Sequence, residues 1–243
     1  MKIPQLTLAA LAATFLASCA GTRIEPKADA LLTAMSTKLK SAQSLRASGT
    51  RKMDASLVPG GKVMESISFN LAMIRPNKIS AIAKGADGSR RLIADGENVT
   101  LVDVKQNLYS TVSAPSDTVD DIADTLEEDF GFSPPLAEFL GEDPKESLLE
   151  DVKSSTLLDN KLVNGVACNG VAFTQKGMEW KLWIGEIDLL PHRIEIVYTG
   201  RAGSPRYEAN ITKWELGAAV CSSEFTFTPS RGAQKIEMIP VSR

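Results

Sequence analysis

Apolar residues along this chain change period three times. Leu31, Leu32, Met35 and Leu39 recur at helical spacing and predict an amphipathic helix from about Pro26 to Leu45. Pro26 suits its first turn. From Arg46 to about Ser113 the period becomes two. Ile67, Phe69, Leu71 and Met73 alternate with Ser66, Ser68, Asn70 and Ala72, the pattern of a strand with one apolar face. Pro59-Gly60-Gly61, Pro76-Asn77, Gly85-Ala86-Asp87-Gly88 and Asp95-Gly96 punctuate these runs as turns, and Tyr109 ends the last strand of the set.

Residues 116–152 return to helical spacing. Val119, Ile122, Ala123, Leu126 and Phe130 form a stripe behind a plausible Ser116 cap. Ser133-Pro134 starts a second short helix. Asp143-Pro144 starts a third, with Glu146 three residues after the cap. From about 155 to 241 alternation resumes. Met178, Trp180, Leu182 and Ile184 form one apolar face, with Trp183 as the exception. Ile194, Ile196 and Tyr198 form another, then Tyr207, Ala209 and Ile211, then Phe225 and Phe227, then Ile236 and Met238. Asn164-Gly165 is a hairpin turn. The order is one helix, about five strands, a helical insert and about six strands. The fold class is α+β, mainly antiparallel β. An apolar sheet face has to be covered, and about eleven strands outnumber the helices available. A curved, partly closed sheet wrapped over a few helices fits that arithmetic.

The N-terminus has a different character. Met1 and Lys2 precede an uncharged apolar run from Leu6 to Leu16. That run is far short of the roughly 20 residues a spanning helix needs, and has the form of an export signal. Leu16-Ala17-Ser18-Cys19 closes it and resembles the bacterial lipobox. Residues 1–18 are therefore read as a signal peptide and Cys19 as the lipidated first residue of the mature chain. A tether over 19–27 then leads into a single domain, 28–243. Several acyl chains on one residue hold a protein on a membrane without spanning it. Ala20 follows Cys19, with no Asp in the position that retains such proteins at the inner membrane. The expected location is the cell envelope, facing the periplasm, with the outer membrane favoured.

Charge and chemistry narrow the function. The net charge is −3, and one unit more negative once Lys2 leaves with the signal. Nucleic acid, which needs a basic footprint, is not an expected partner. Beyond Cys19 there are two cysteines, Cys168 and Cys221. An oxidising compartment favours a disulfide between them; the alternative is two separate thiols. His192 is the only histidine. Without a second ligand it reads as a surface or turn residue and not as part of a metal site. Asp117, Asp120, Asp121, Asp124, Glu127, Glu128 and Asp129 read as a solvated helix face rather than a cation site, because their spacing is not that of a calcium loop. No nucleophile elbow, phosphate loop or zinc-protease helix occurs, so neither catalysis nor a cofactor is expected. The apolar strand faces supply Phe69, Leu71, Met73, Trp180, Leu182, Ile184, Ile194 and Ile196, which form either a packed core or the lining of an acyl cavity.

Several short segments in their order resemble the LolA/LolB-like superfamily of bacterial envelope proteins, to which the N-terminal part of RseB is also similar. They are Leu45-Arg46-Ala47-Ser48-Gly49-Thr50 after the first helix, Arg75-Pro76-Asn77-Lys78-Ile79, Asp95-Gly96, Trp183-Ile184 with Leu189-Leu190-Pro191-His192-Arg193, and Phe225-Thr226-Phe227 before Pro229 and Gly232-Ala233. Among subfamilies the chain resembles a poorly characterised set of predicted periplasmic proteins, in which a Cys at the place of Cys168 is usual. The resemblance implies an unclosed β half-barrel with helices plugging its open side. It also implies handling of lipid or of an acylated polypeptide between sheet and helices. Anchoring through Cys19 is more like the receptor LolB than the soluble carrier. The receptor's protruding aromatic loop has no counterpart in Leu57-Val58-Pro59-Gly60-Gly61. The second reading is a sensor or assembly lipoprotein that works through protein contacts, with a filled core.

Overall fold

The computed structural model describes residues 22–57, 65–114, 117–131 and 134–238. The signal segment, Cys19, the Pro59-Gly60-Gly61 turn, Ser116 and Ser133 lie outside the described residues.

Helix α1 (Pro26–Lys40) buries Ala28, Leu32, Met35 and Leu39 along one stripe. It stops at Lys40 and not at Leu45. Leu45 belongs to the alternation of the next strand, β1 (Ser44–Met53), where Leu45, Ala47 and Gly49 are buried and their neighbours less so. Five strands follow: β2 (Glu65–Ile74), β3 (Lys78–Gly85), β4 (Gly88–Ala94), β5 (Asn98–Asp103) and β6 (Leu108–Ser113). The insert contributes α2 (Val119–Phe130), α3 (Ala137–Leu140) and α4 (Pro144–Leu149). The second set is β7 (Val152–Val163), β8 (Val166–Gln175), β9 (Met178–Gly185), β10 (Pro191–Val197), β11 (Arg206–Leu216) and the two-residue β12 (Gln234–Lys235).

The described residues thus form one sheet of twelve strands, in the order β12-β6-β5-β4-β3-β2-β1-β11-β10-β9-β8-β7. Every pairing is antiparallel except β12 with β6. The two ends of this order do not pair with each other, so the half-barrel is open. Part of each edge is nevertheless covered. Gln234 donates its backbone N–H to Asn107 O, and Ile236 donates to Tyr109 O, laying the C-terminal segment along β6. On the other side Arg23 donates to Lys153 O and accepts from Ser155 N, laying the residues before α1 along β7. The tether expected over 19–27 is therefore docked from Arg23 onward.

Register arranges the concave face in rows. One row reads Leu45, Met73, Ile79, Ala94, Val99 and Val112 across β1 to β6. The next reads Ala47, Leu71, Ala81, Leu92, Leu101 and Ser110. In the other half Phe173, Trp180, Ile196, Tyr207 and Met53 run across β8 to β1. The Phe173 and Trp180 rings stack at 4.0 Å.

The helices cover only part of this face. Eleven inter-strand spacings of about 4.8 Å make an arc of roughly 50 Å, whereas α3 and α4 hold 4 and 6 residues. They are tied down at one end of the sheet. Thr118, rather than Ser116, caps α2 by accepting from Asp121 N. Asp143 caps α4, with Pro144 in its first turn, by accepting from Glu146 N at 3.2 Å, and it pairs with Lys40 of α1 at 2.8 Å. Asp120 accepts from Glu142 N at 2.7 Å.

Trp183, the exception to alternation in β9, has its own partners. It lies on the opposite face of the sheet with Val163 and Cys168 in a separate small apolar cluster, and Lys161 Nζ sits 3.4 Å from its ring centroid. The Phe225–Phe227 strand expected from alternation is not formed. Ser222–Phe225 is a short helical turn that buries Phe225, and the Tyr109 and Phe227 rings meet at 4.9 Å.

Candidate ligand-binding cavity

The inward residues of β3 are Ile79, Ala81, Ala83 and Gly85, in falling order of size. Small side chains on a concave face that the short helices only partly cover leave space, and here they leave a cavity of about 1170 Å³. That is slightly above the usual range of roughly 300–1,000 Å³ for small-molecule sites. Its walls carry Met53, Leu57, Ile67, Leu92, Leu101, Leu108, Met178, Trp180, Ile194 and Ile196, with Leu148 of α4 and Pro134 and Pro135 from the insert. Asp87, Arg90, Gln106, Glu150 and Asp151 line it as well and are solvent-exposed, so the cavity opens to water through a polar rim.

The strand residues picked out from the sequence divide between core and cavity. Trp180, Ile194 and Ile196 line the cavity. Phe69, Leu71, Met73, Leu182 and Ile184 are buried in the main core next to it. Core and cavity are two stretches of one sheet face, separated by where the helices end.

Polar groups also face the cavity. Arg51 follows Leu45, Ala47 and Gly49 on the inward side of β1 and lines the wall. Its Nε is buried and has no acceptor among the described residues. Tyr207 on β11, Tyr198 just after β10 and Glu138 on α3 also line the cavity. Burial pushes the Glu138 carboxyl up to about 6, against the pull of its own backbone N–H and of Arg51. Burial and then the Glu138 charge raise the Tyr207 phenol above its ordinary value, and the same two causes raise Tyr198. Sequence reasoning missed Arg51 and Glu138. The signal for Arg51 was present: it is a cation at an inward position of an alternating strand.

Other singled-out residues lie elsewhere. His192 is buried and not a surface residue, with Nε2 at 2.9 Å from Asp188 Oδ2 in the β9–β10 turn. Among the described residues no group of His, Cys, Asp and Glu is placed to hold a metal ion. In the acidic run Asp117, Asp121, Asp124, Glu127, Glu128 and Asp129 are exposed, whereas Asp120 is half-buried on Glu142 N. Cys168 and Cys221 are free thiols, contrary to the expected disulfide. The reason is the sheet order. Cys168 is buried on β8, while Cys221 opens the turn whose Glu224 pairs with Arg46 of β1. Three strands lie between β8 and β1, a separation well beyond the roughly 7 Å limit between bridged Cα atoms. Burial lifts the Cys168 thiol to about 11.

An open antiparallel half-barrel with helices plugging one end and a cavity under the rest is the LolA-like architecture. The chain belongs to the family described as "Predicted periplasmic protein (DUF2092)", which it matches over residues 28–239. A comparison with curated proteins finds no match. Among solved structures, LprF from Mycobacterium bovis superposes with a TM-score of 0.50 at 15% identity, over 83% of this chain and 97% of that one. MucB superposes at 0.47 and 15% identity over 84% of this chain, which spans 64% of MucB's length. The LolA superfamily protein NE2245 from Nitrosomonas europaea gives 0.34 at 9% identity, over 81% and 97%.

Proposed function

We propose that this protein binds the acyl chains of a lipid or of an acylated polypeptide in the cavity between sheet and helices, without catalysis. The observation that carries the reading is the cavity itself, about 1170 Å³ under a largely apolar concave face with an open mouth. A ligand of that character gains from leaving water, at roughly 25 cal/mol per Å² of apolar surface. A role through protein contacts alone would go with a filled interior, which is not the interior observed.

The same proposal includes anchoring. Cys19 of the lipobox carries the acyl groups, and the protein faces the periplasm, with the outer membrane favoured by Ala20. Arg23 is fixed on β7, so no more than about 14 Å of chain separates it from Cys19. Ser154, its partner, lies three residues from Asp151 on the cavity rim. A lipid on Cys19 would therefore bring the mouth close to the bilayer surface.

The test is dye uptake. Purified mature protein should enhance the fluorescence of N-phenyl-1-naphthylamine with saturation near one site per chain, and fatty acyl probes should displace it. Absence of saturable uptake, together with no lipid recovered by solvent extraction of the native protein, would overturn the reading. Membrane fractionation of Cys19→Ala tests the anchor, which fails if the variant stays membrane-bound.

A further inference from the structure

The polar groups inside the cavity converge. Arg51, Tyr198, Tyr207 and Glu138 all line the cavity inside its exposed polar rim, and the charges of Glu138 and Arg51 both act on the Tyr207 phenol. An apolar chain alone has no use for them. Polar groups in such a place lose water and need partners, and Arg51 Nε has none among the described residues. The cluster therefore has donors to offer an occupant.

Its charge limits what that occupant can be. Two guanidiniums act on this cluster, Arg51 on Glu138 and Tyr207 and Arg201 on Tyr198, and two carboxylates, Glu138 and Glu127, oppose them. A carboxylate or phosphate brought here would meet cations already matched. It would add a second anion beside Glu138 in a space that disfavours even one. A carbonyl oxygen brings no such conflict. It accepts from the guanidinium and the phenols, and a neighbouring hydroxyl or amide can donate to Glu138.

We propose that Arg51, Tyr207, Tyr198 and Glu138 form a seat for the uncharged polar head of an acyl ligand, an ester or amide carbonyl, and select against free fatty acids. The proposal rests on the acyl-binding reading above and adds the chemical class of the head group. Arg51 is the residue that determines the preference.

The probe pair is monooleoylglycerol and oleate, which share one chain and differ in head charge. Each is titrated at pH 8 against bound N-phenyl-1-naphthylamine on the full mature chain. The wild type should release the dye at about tenfold lower monooleoylglycerol than oleate, the scale of one charge-assisted hydrogen bond gained against one unmatched charge. Arg51→Met removes the main donor. The double variant Arg51→Met with Glu138→Gln also removes the carboxylate it would leave unpaired, which guards against loss of folding. In the double variant the preference, read against that variant's own dye affinity, should fall to about threefold or less. Equal displacement by both probes in the wild type, or a preference unchanged in the double variant, overturns the seat while leaving the cavity reading standing. No dye uptake by the wild type removes both.

Discussion

Arg75, at the β2–β3 turn, donates from Nη1 to the carbonyl oxygen of Leu140 at the end of α3, at 3.0 Å. The same nitrogen reaches Gly141 O at 3.0 Å, and Nε reaches Ala42 O at 3.2 Å. One half-buried guanidinium thus holds the helical insert, the end of α1 and the sheet together. Arg75→Met should lower unfolding free energy by about 2–4 kcal/mol, since three carbonyls lose a charged donor. Hydrogen exchange should rise over residues 136–149 well before the sheet opens. Unchanged protection in that segment would show that the insert is held by its apolar contacts alone.

Asp143 caps α4 and pairs with Lys40, and these contacts with Ser36 hold its carboxyl below the usual range, the Lys40 bond being the largest cause. Asp143→Ala should cost about 1–2 kcal/mol at neutral pH, the ordinary value of a lost N-cap. A depressed carboxyl contributes stability above its unfolded value of 3.8 and loses it as pH falls through the folded value. The gap between wild type and variant should therefore shrink as the pH falls below 3.8. Urea titrations at pH 7 and pH 2.5 would show whether it does.

Glu138 has the opposite sign. Its folded value of about 6 lies above the unfolded 4.5, so the native state binds the proton more tightly. Its contribution is intact below 4.5 and is lost as pH rises through 6. Glu138→Gln should stabilise the protein by up to about 2 kcal/mol at pH 8 and by little at pH 4. Thermal melts at the two pH values provide the measurement, and an equal Tm change at both would contradict it.

Ala83 on β3 borders the cavity between Phe69 and Arg90. Ala83→Phe should fill space rather than create strain, leaving stability within about 1 kcal/mol. Dye uptake should fall severalfold. Full uptake by a folded Ala83→Phe protein would place the dye somewhere else.

The two thiols should behave as unequal groups. Cys221 is exposed, and its neighbour Ser223 lowers it; Cys168 is buried and raised to about 11. In a Cys19→Ala chain, an aromatic disulfide reagent should label Cys221 within minutes and Cys168 only on unfolding. Non-reducing mass spectrometry should find both thiols free, and a mass two units lower would contradict the structure.

Much of the sheet was legible because alternation and turn chemistry are local. Asn164 and Gly165 sit at the β7–β8 turn with positive φ, as the hairpin signal implies. The misreadings have a different origin. Phe225 and Phe227 alternate, yet the backbone turns because Glu224 is drawn to Arg46 across the sheet. Cys168 and Cys221 look like a pair until strand order separates them. The cavity was invisible for a third reason. It comes from what Ala81, Ala83 and Gly85 lack, and a pattern of hydrophobic positions scores alanine and leucine alike. Arg51 drew no attention, although it shares the parity of Leu45 and Ala47 on β1, because nothing in a single strand shows that the space it faces is empty.

The docking of Arg23 on β7 and of Gln234 on β6 has a consequence for the protein in a crowded compartment. An open sheet ends in two rows of unpaired backbone donors and acceptors, and each row is a template for another chain. A closed barrel removes those rows but would also seal the cavity. Here the segments before α1 and after the last long strand each lie on part of one row, at Lys153 and Ser155 of β7 and at Leu108 and Tyr109 of β6, so the sheet stays open for a ligand while a stretch of each edge is withheld from another chain.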